Sequence, residues 1–121
     1  MTGDLRVSVS ARPSCALVTV AGECDVTTAR QLLAALSTLT EAGGTLVVVD
    51  LSALRHLDAA GTHALRAARG ALASRGISLA LASPPPIVSR MLELTRASHH
   101  FPVYRTVAEA LDHERRDPSG S

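Results

Sequence analysis

Residues 47–65 read VVVDLSALRHLDAAGTHAL, and this segment decides the predicted fold. It starts within a run of apolar and β-branched residues interrupted only by Asp50, which is typical of a strand covered on both faces. Asp58 then precedes apolar residues at helical spacing, and its carboxylate is placed to accept from the free N–H of Ala60 or Gly61 as an N-cap. The segment therefore predicts a buried strand followed by a capped helix.

The sequence before this segment predicts a hairpin and a first helix. Residues 5–12 alternate between apolar and polar side chains, as in a half-solvated strand near a sheet edge, and residues 15–22 predict a more apolar second strand. The pair Thr28 and Gln31 fits a capping box, with Asp25 as a further candidate cap. Apolar residues at helical spacing follow, and EAGG ends the helix.

The sequence after it predicts two more strands and two more helices. ISLALA is a strand, and SPPPIVSRMLELT predicts a Pro-started helix with Ile87 and Val88 on its inner face. Pro102 marks the next strand as an edge, and Thr106 with Glu109 forms a second capping box. The order ββαβαβαβα predicts an α/β fold, a single domain with a mixed central sheet of four to five strands and about four helices.

Length and cysteine usage predict one cytoplasmic domain. The chain has 121 residues, and we expect the domain to span residues 1–121, with a core over about 5–112 and a frayed tail at 115–121. Cys15 and Cys24 fit neither a disulfide framework nor a metal spacing. The start of the chain lacks the apolar region of a signal peptide, and no stretch approaches the ~20 apolar residues of a membrane span.

The composition excludes several classes of function. The net charge is +1, and all twelve basic residues are Arg, spread along the chain, so no footprint for nucleic acid or an anionic membrane is present. The 2% of aromatic residues also disfavours single-stranded nucleic-acid binding, which stacks bases on rings. The absence of Lys removes the phosphate-binding lysine of P-loops and Schiff-base chemistry.

Two motifs in register resemble the hallmarks of the STAS family, which includes the bacterial anti-anti-sigma factors. VVVDLSALRHLDAAGTHAL is similar to the family's apolar strand, its Asp-Leu-Ser and its helix-opening Asp-Ser-Ser/Thr-Gly tetrad. VAGECDVTTA at residues 20–29 is similar to the family's Gly-Glu-Leu/Ile-Asp loop, with Cys24 in place of the apolar residue. Length and element order match over about residues 5–112. The resemblance implies a STAS-like fold and regulatory binding.

The resemblance also implies a phosphorylation switch, and this sequence departs from it. In the family, the unmodified protein binds an anti-sigma factor, often a serine kinase, and phosphorylation of the hydroxyl after the motif Asp ends that binding. Here Ala59 stands at that position and Ala60 beside it, and neither accepts a phosphate. The nearest hydroxyls are Ser52 and Thr62, and Thr62 lies about 300° around the helix from Ala59.

The partner surface implied by the family is the start of the second helix with the loops beside it. It contains the following residues: Asp25, Arg55, His56, Asp58, Gly61, Thr62, Arg66 and Arg69. The spacing i, i+4, i+7 predicts that Thr62, Arg66 and Arg69 share an outer face. A solvated face without a partner explains the same pattern equally well.

The predicted function is that of a non-enzymatic anti-sigma factor antagonist, with a serine-kinase type of anti-sigma factor as partner and a monomer or weak homodimer as the working form. Alternatives are a STAS docking subunit of a phospholipid-transport or other complex, and a module that binds a nucleotide phosphate at the helix N-terminus. The sequence contains no paired nucleophile and base that would suggest an enzyme. Cys24 is a poor candidate nucleophile, because its acidic neighbours would raise the pKa of its thiol. We expect no cofactor, and His99 and His100 lack the further ligands of a metal site.

Overall fold

The computed structural model describes residues 4–13, 15–39 and 44–116, with the backbone alone for residues 114–116. The elements follow in this order: β1 (Leu5–Ala11), β2 (Cys15–Cys24), α1 (Ala29–Ser37), β3 (Leu46–Leu57), α2 (Ala59–Ala73), β4 (Ser78–Ala82), α3 (Pro86–Leu94), a 3-10 turn (Ala97–His99), β5 (Val103–Tyr104) and α4 (Val107–Arg116). The predicted order ββαβαβαβα and the single α/β domain are confirmed. Residues 117–121 of the predicted frayed tail lie outside the described residues, whereas residues 115 and 116 belong to α4.

The five strands form one sheet in the order β1-β2-β3-β4-β5. β1 and β2 are antiparallel, and each later neighbour pair is parallel, so the sheet is mixed as predicted. The predicted edge strands β1 and β5 do lie at the two edges. Because β2 to β5 are parallel, their carboxyl ends meet at one edge of the sheet, where α/β proteins place their functional loops.

The central strand β3 is covered on both faces. Val47 and Val49 join the main core, which also contains the inner faces of α1, α2 and α3. Val48 points to a smaller cluster under α4, with Ala82 and Ala110. All three valines are buried, so the apolar run in the sequence was correctly interpreted as a doubly covered strand.

β3 extends as far as Leu57, six residues beyond Leu51, where the apolar run in the sequence ends and where the strand was expected to end. Its 12 residues pair with the 10 residues of β2 through two register shifts, each of which adds one residue to β3. The bulges turn every third residue inward, so that Leu51, Leu54 and Leu57 are buried while the pairs between them are exposed. This three-residue period resembles a helix in the sequence, which explains why the predicted strand was too short.

Two local predictions were wrong. Thr28 makes no side-chain bond as the N-cap of α1, and Gln31 instead donates from Nε2 to the carbonyl of Leu5 on β1. Ile87 is 62% exposed, because α3 buries the stripe that contains Val88 and Leu92, about 100° around the helix. In contrast, the Thr half of the second capping box is confirmed, since Glu109 N–H donates to Thr106 Oγ1 at 3.0 Å.

Candidate functional site

The ends of β2 and β3 bring two acidic residues of the predicted site to the same edge of the sheet. The strands finish level with each other, with Cys24 paired with Leu57. Asp25 follows the first strand and Asp58 follows the second. The N–H of Asp58 also donates to the carbonyl of Cys24 at 3.2 Å, which fixes the β3–α2 junction against the end of β2.

Asp58 is the N-cap of α2, as the sequence predicted. Its backbone is extended, with φ −112° and ψ −172°, and its Oδ1 accepts from the N–H of Gly61 at 3.0 Å. The carboxylate thereby satisfies one of the free donors of the first turn and interacts favourably with the helix dipole. The side chain is half-buried, so it remains accessible at the surface.

Gly61 allows the start of α2 to approach β2 closely. A Cβ at this position would lie 2.7 Å from Leu57 Cδ1 and 2.8 Å from both the carbonyl oxygen and the Sγ of Cys24. The carbonyl oxygen belongs to a strand and cannot rotate away. Gly61 was predicted as a partner-binding residue, but it is buried. Its observed contribution is to let the start of α2 pack closely against Cys24 and Leu57.

Ala59 and Ala60 form the first residues of α2. Ala59 is exposed and Ala60 is half-buried. The position that follows the cap therefore faces solvent at a helix N-terminus, a place where negative charge is favoured. A methyl group occupies it, so this position carries no atom that could accept a phosphate.

The prediction that Thr62 shares the outer face of α2 was wrong. Its side chain is only 2% exposed, and its Oγ1 donates to the carbonyl of Asp58 at 3.0 Å. The reason is the breadth of the buried stripe, which at this end of the helix includes both Gly61 and Thr62. The exposed face instead carries Ala59, His63 and Arg66, at spacing i, i+4, i+7.

His63 is thus a surface residue of the site that the sequence interpretation left out. The signal was present, because His63 lies one turn beyond Ala59 and so shares its helix face. Arg66 and Arg69 are exposed, as predicted. Their role in binding a partner, like that of the other surface residues of the site, stays a prediction.

The β2–α1 loop holds Asp25 by several hydrogen bonds. Its Oδ1 accepts from Thr27 Oγ1 at 2.6 Å, from Thr27 N–H at 2.9 Å and from Thr28 N–H at 3.2 Å. The bond from the Thr27 hydroxyl, followed by the backbone bonds, lowers the pKa of the Asp25 carboxyl. The buried Thr28 hydroxyl donates to the carbonyl of Glu23 at 2.8 Å and accepts from Asp25 N–H.

Cys24 is not placed for nucleophilic chemistry. It is fully buried, and burial raises the pKa of its thiol to about 12, with smaller contributions from the charges of Asp58 and Asp25. The predicted direction is correct, although burial rather than the acidic neighbours is the main cause. A thiol with so high a pKa stays protonated at neutral pH. Both cysteines are free.

Arg55 and His56 are exposed on the bulged end of β3. Arg55 Nη2 lies 3.9 Å from Glu23 Oε2, a solvent-accessible contact that contributes little to stability. Within residues 4–13, 15–39 and 44–116, no group of three His, Cys, Asp or Glu side chains is placed to hold a metal ion. No helix in the described part of the chain is long and apolar enough to cross a membrane.

Three solved structures illustrate what this chain is similar to. An anti-sigma factor antagonist from Mycobacterium paratuberculosis matches with a TM-score of 0.82 and 28% identity, covering 93% of this chain and 95% of that one. Unphosphorylated SpoIIAA, also an anti-sigma factor antagonist, matches with a TM-score of 0.74 and 19% identity over 91% and 96% of the two chains. A sulfate transporter family protein from Wolinella succinogenes matches with a TM-score of 0.75 and 17% identity over 88% of each chain.

The two more distant structures share the fold alone, whereas the Mycobacterium protein is also related in sequence. A comparison with curated proteins found no significant match. The model of the STAS domain family matches residues 6–110, which include every strand but the first residue of β1, together with both motif-bearing junctions. The chain therefore belongs to the STAS domain family.

Proposed function

We propose that this protein is a non-enzymatic, cytoplasmic regulator of the anti-sigma factor antagonist type, which binds an anti-sigma factor of the serine-kinase type through the start of α2. The similarity to the Mycobacterium protein, an anti-sigma factor antagonist with 28% identity, supports an anti-sigma factor as the class of partner. The family membership and the matching site geometry support the place of binding. The proposed working form is a monomer or weak homodimer.

The observation that carries the proposal is the state of the β3–α2 junction. Asp58 caps the helix, Gly61 seats it against β2, and Ala59 is exposed beside them. The residues that shape the junction are all present, and the hydroxyl that a kinase would modify is replaced by a methyl group. A protein of this kind retains a docking surface and loses its phosphorylation switch.

The physical consequence is that binding cannot be ended by a phosphate at this position. A phosphate would add about −1.5 to −2 charges beside Asp58, in the middle of the proposed interface. Ala59 cannot be phosphorylated, so this charge is not added. We propose that the protein binds its partner constitutively or is regulated by a signal other than phosphorylation at this position.

Neither nearby hydroxyl restores the switch in the same form. Thr62 Oγ1 is buried and donates within the first turn, so a kinase would reach it only after the turn opens. Ser52 is exposed, but it lies at a bulge of β3 rather than at the helix N-terminus.

The experiment that tests the missing switch is phosphorylation by the cognate kinase with radiolabelled ATP. Wild type should stay unlabelled, whereas Ala59→Ser should be labelled, since the serine is exposed at the position that the family uses. Ala73→Ser is a matched control at the exposed far end of α2 and should stay unlabelled. Strong labelling of wild type at Thr62 or Ser52 would contradict the proposal.

Affinity purification from the native cell tests the class of partner. Capture of an ATP-binding anti-sigma kinase, weakened by Ala59→Glu, is the expected result. Capture of membrane ATPase subunits instead would favour a docking subunit of a transport complex. If neither is captured and calorimetry detects tight nucleotide binding, the ligand-binding alternative replaces this proposal.

A further inference from the structure

We infer that an open groove beside α2 is the docking site for an acidic segment of the partner protein, an inference that rests on the proposed function and specifies the chemistry of its partner. The groove lies between α2 and the residue that follows the 3-10 turn, and its volume is about 410 Å³. Its lining consists of His63, Arg66, Ala67, Arg69 and His100.

The lining of the groove has one sign of charge. It contains two guanidinium groups and two imidazoles, and no carboxylate. Arg66 lies three residues from Arg69, so the two guanidinium groups are neighbours on the helix surface. Like charges at this spacing destabilise a helix unless a counter-charge is supplied. The groove therefore presents an anion-binding surface that the fold itself does not require.

Within the described part of the chain, no carboxylate pairs with the groove arginines. Among the described residues the one ion pair joins Arg55 to Glu23, and neither Arg66 nor Arg69 makes a described hydrogen bond. Arg75 near the end of α2 shows the structural alternative: its Nη1 and Nη2 donate to the carbonyls of Leu39 and Ser37 at 2.8 and 2.7 Å. Arg75 thus ties two helices together, whereas the groove arginines remain available to another molecule.

The groove continues the surface proposed to bind the partner. Ala59, His63 and Arg66 follow one exposed face of α2, and Arg69 lies one turn further. Ten residues of helix span about 15 Å, so a partner that covers Ala59 within an interface of standard size also reaches the groove. The two parts of the surface are therefore contacted together.

The whole surface is bipolar, which argues for a folded acidic partner rather than a nucleic acid. Asp25 and Asp58 lie at the end of this surface where α2 begins, and the basic groove lies further along α2. A continuous polyanion would be repelled at the acidic end, and the lining contains no Phe, Tyr or Trp, the large rings on which bases commonly stack. A protein with an acidic segment opposite the groove and basic groups opposite the aspartates matches both ends and fixes its own orientation.

The test measures binding of the captured anti-sigma factor to Arg66→Glu/Arg69→Glu at several salt concentrations. We expect affinity to fall on the order of tenfold or more, mainly through a slower association rate, and the salt dependence to decrease. The matched control is Arg6→Glu/Arg12→Glu, which changes the net charge equally at exposed positions on and beside the far edge strand β1. Circular dichroism checks that both exposed double variants stay folded.

A second arm uses a short synthetic oligoglutamate peptide as the probe, with amide NMR spectra of the full chain. Shifts confined to residues 63–69 and His100, and absent in Arg66→Glu/Arg69→Glu, support the groove as an acidic docking site. The absence of such shifts, or stronger shifts with single-stranded DNA, overturns the inference.

The outcomes separate this inference from the proposed function. If the anti-sigma factor binds both double variants equally, the groove inference fails while the proposed function stands. If wild type captures no anti-sigma factor, the proposed function fails, and the peptide arm alone decides whether the groove binds acidic segments.

Discussion

The β2–α1 and β3–α2 junctions both place an aspartate directly after a parallel strand, at the same edge of the sheet. In the first, Asp25 Oδ1 accepts from the backbone and hydroxyl of Thr27, and the Thr28 hydroxyl closes the loop onto Glu23. In the second, the Asp58 carboxylate accepts from Gly61 N–H alone, and Gly61 packs closely against Cys24. One junction is held by hydrogen bonds and the other by packing.

The difference bears on the proposed docking at the β3–α2 junction. At the β2–α1 junction the threonine hydroxyls are used within the loop. At the β3–α2 junction the Thr62 hydroxyl is also used, within the first turn, but the residue after the cap makes no such bond, and Ala59 is exposed. A residue at that position can therefore change its chemistry, from a hydroxyl to a methyl group, without a cost to the fold.

The largest expected effect concerns Gly22, which positions the β2–α1 junction two residues before the strand ends. Its φ is +103°, and a Cβ there would lie 2.1 Å from the carbonyl oxygen of Asp4. That carbonyl also accepts from Glu23 N–H at 2.9 Å. Gly22→Ala should lower the free energy of unfolding by about 3 kcal/mol, because backbone strain and a backbone clash coincide.

The control for this effect is Gly76→Ala. Gly76 also has a positive φ, +76°, but a Cβ there meets nothing within 4 Å. We expect a loss of about 1 kcal/mol from backbone strain alone. Urea unfolding of both variants measures the difference, and equal losses would show that the Asp4 contact does not hold the junction.

The second prediction tests the packed junction. Gly61→Ala should lower the free energy of unfolding by about 2 kcal/mol and weaken partner binding, because the new Cβ pushes the start of α2 away from Cys24. Gly70→Ala in the same helix meets nothing within 4 Å and should raise stability by about 0.5–1 kcal/mol. Urea unfolding gives both values. If Gly61→Ala is as stable as wild type, close packing does not define this junction.

The sequence predicted the element order because its periodicity and its capping residues agree with the tertiary structure. The cap at Asp58 and the doubly covered strand around Val48 are decided locally, by residue type and spacing. The length of β3 was not predictable in this way, since its two bulges depend on pairing with β2. For the same reason the inner position of Thr62 and the groove that includes His100 emerged only from the packing.

The third prediction separates the cap of α2 from its charge. Asp58→Ala removes the bond to Gly61 N–H and should cost about 1 kcal/mol of unfolding free energy. Asp58→Asn keeps a capping oxygen and should retain most of that stability. If the carboxylate contributes to docking, as proposed, the asparagine variant binds the anti-sigma factor more weakly although it is folded. Equal affinity of wild type and Asp58→Asn would limit Asp58 to a structural role.

The smallest expected effect is the acid sensitivity of the hydrogen-bonded junction. The Thr27 bonds make the pKa of Asp25 lower in the folded chain than in the unfolded one, so below about pH 4 the unfolded state binds more protons. The charged Asp25 carboxylate therefore stabilises the folded state above that pH. This contribution is lost as the pH falls through the lowered pKa that Asp25 has in the folded chain. Asp25→Asn removes a titrating group and should flatten this part of the profile of stability against pH, measured by urea unfolding. If the profile of Asp25→Asn is as steep as that of wild type, the Thr27 bonds do not stabilise the charged carboxylate.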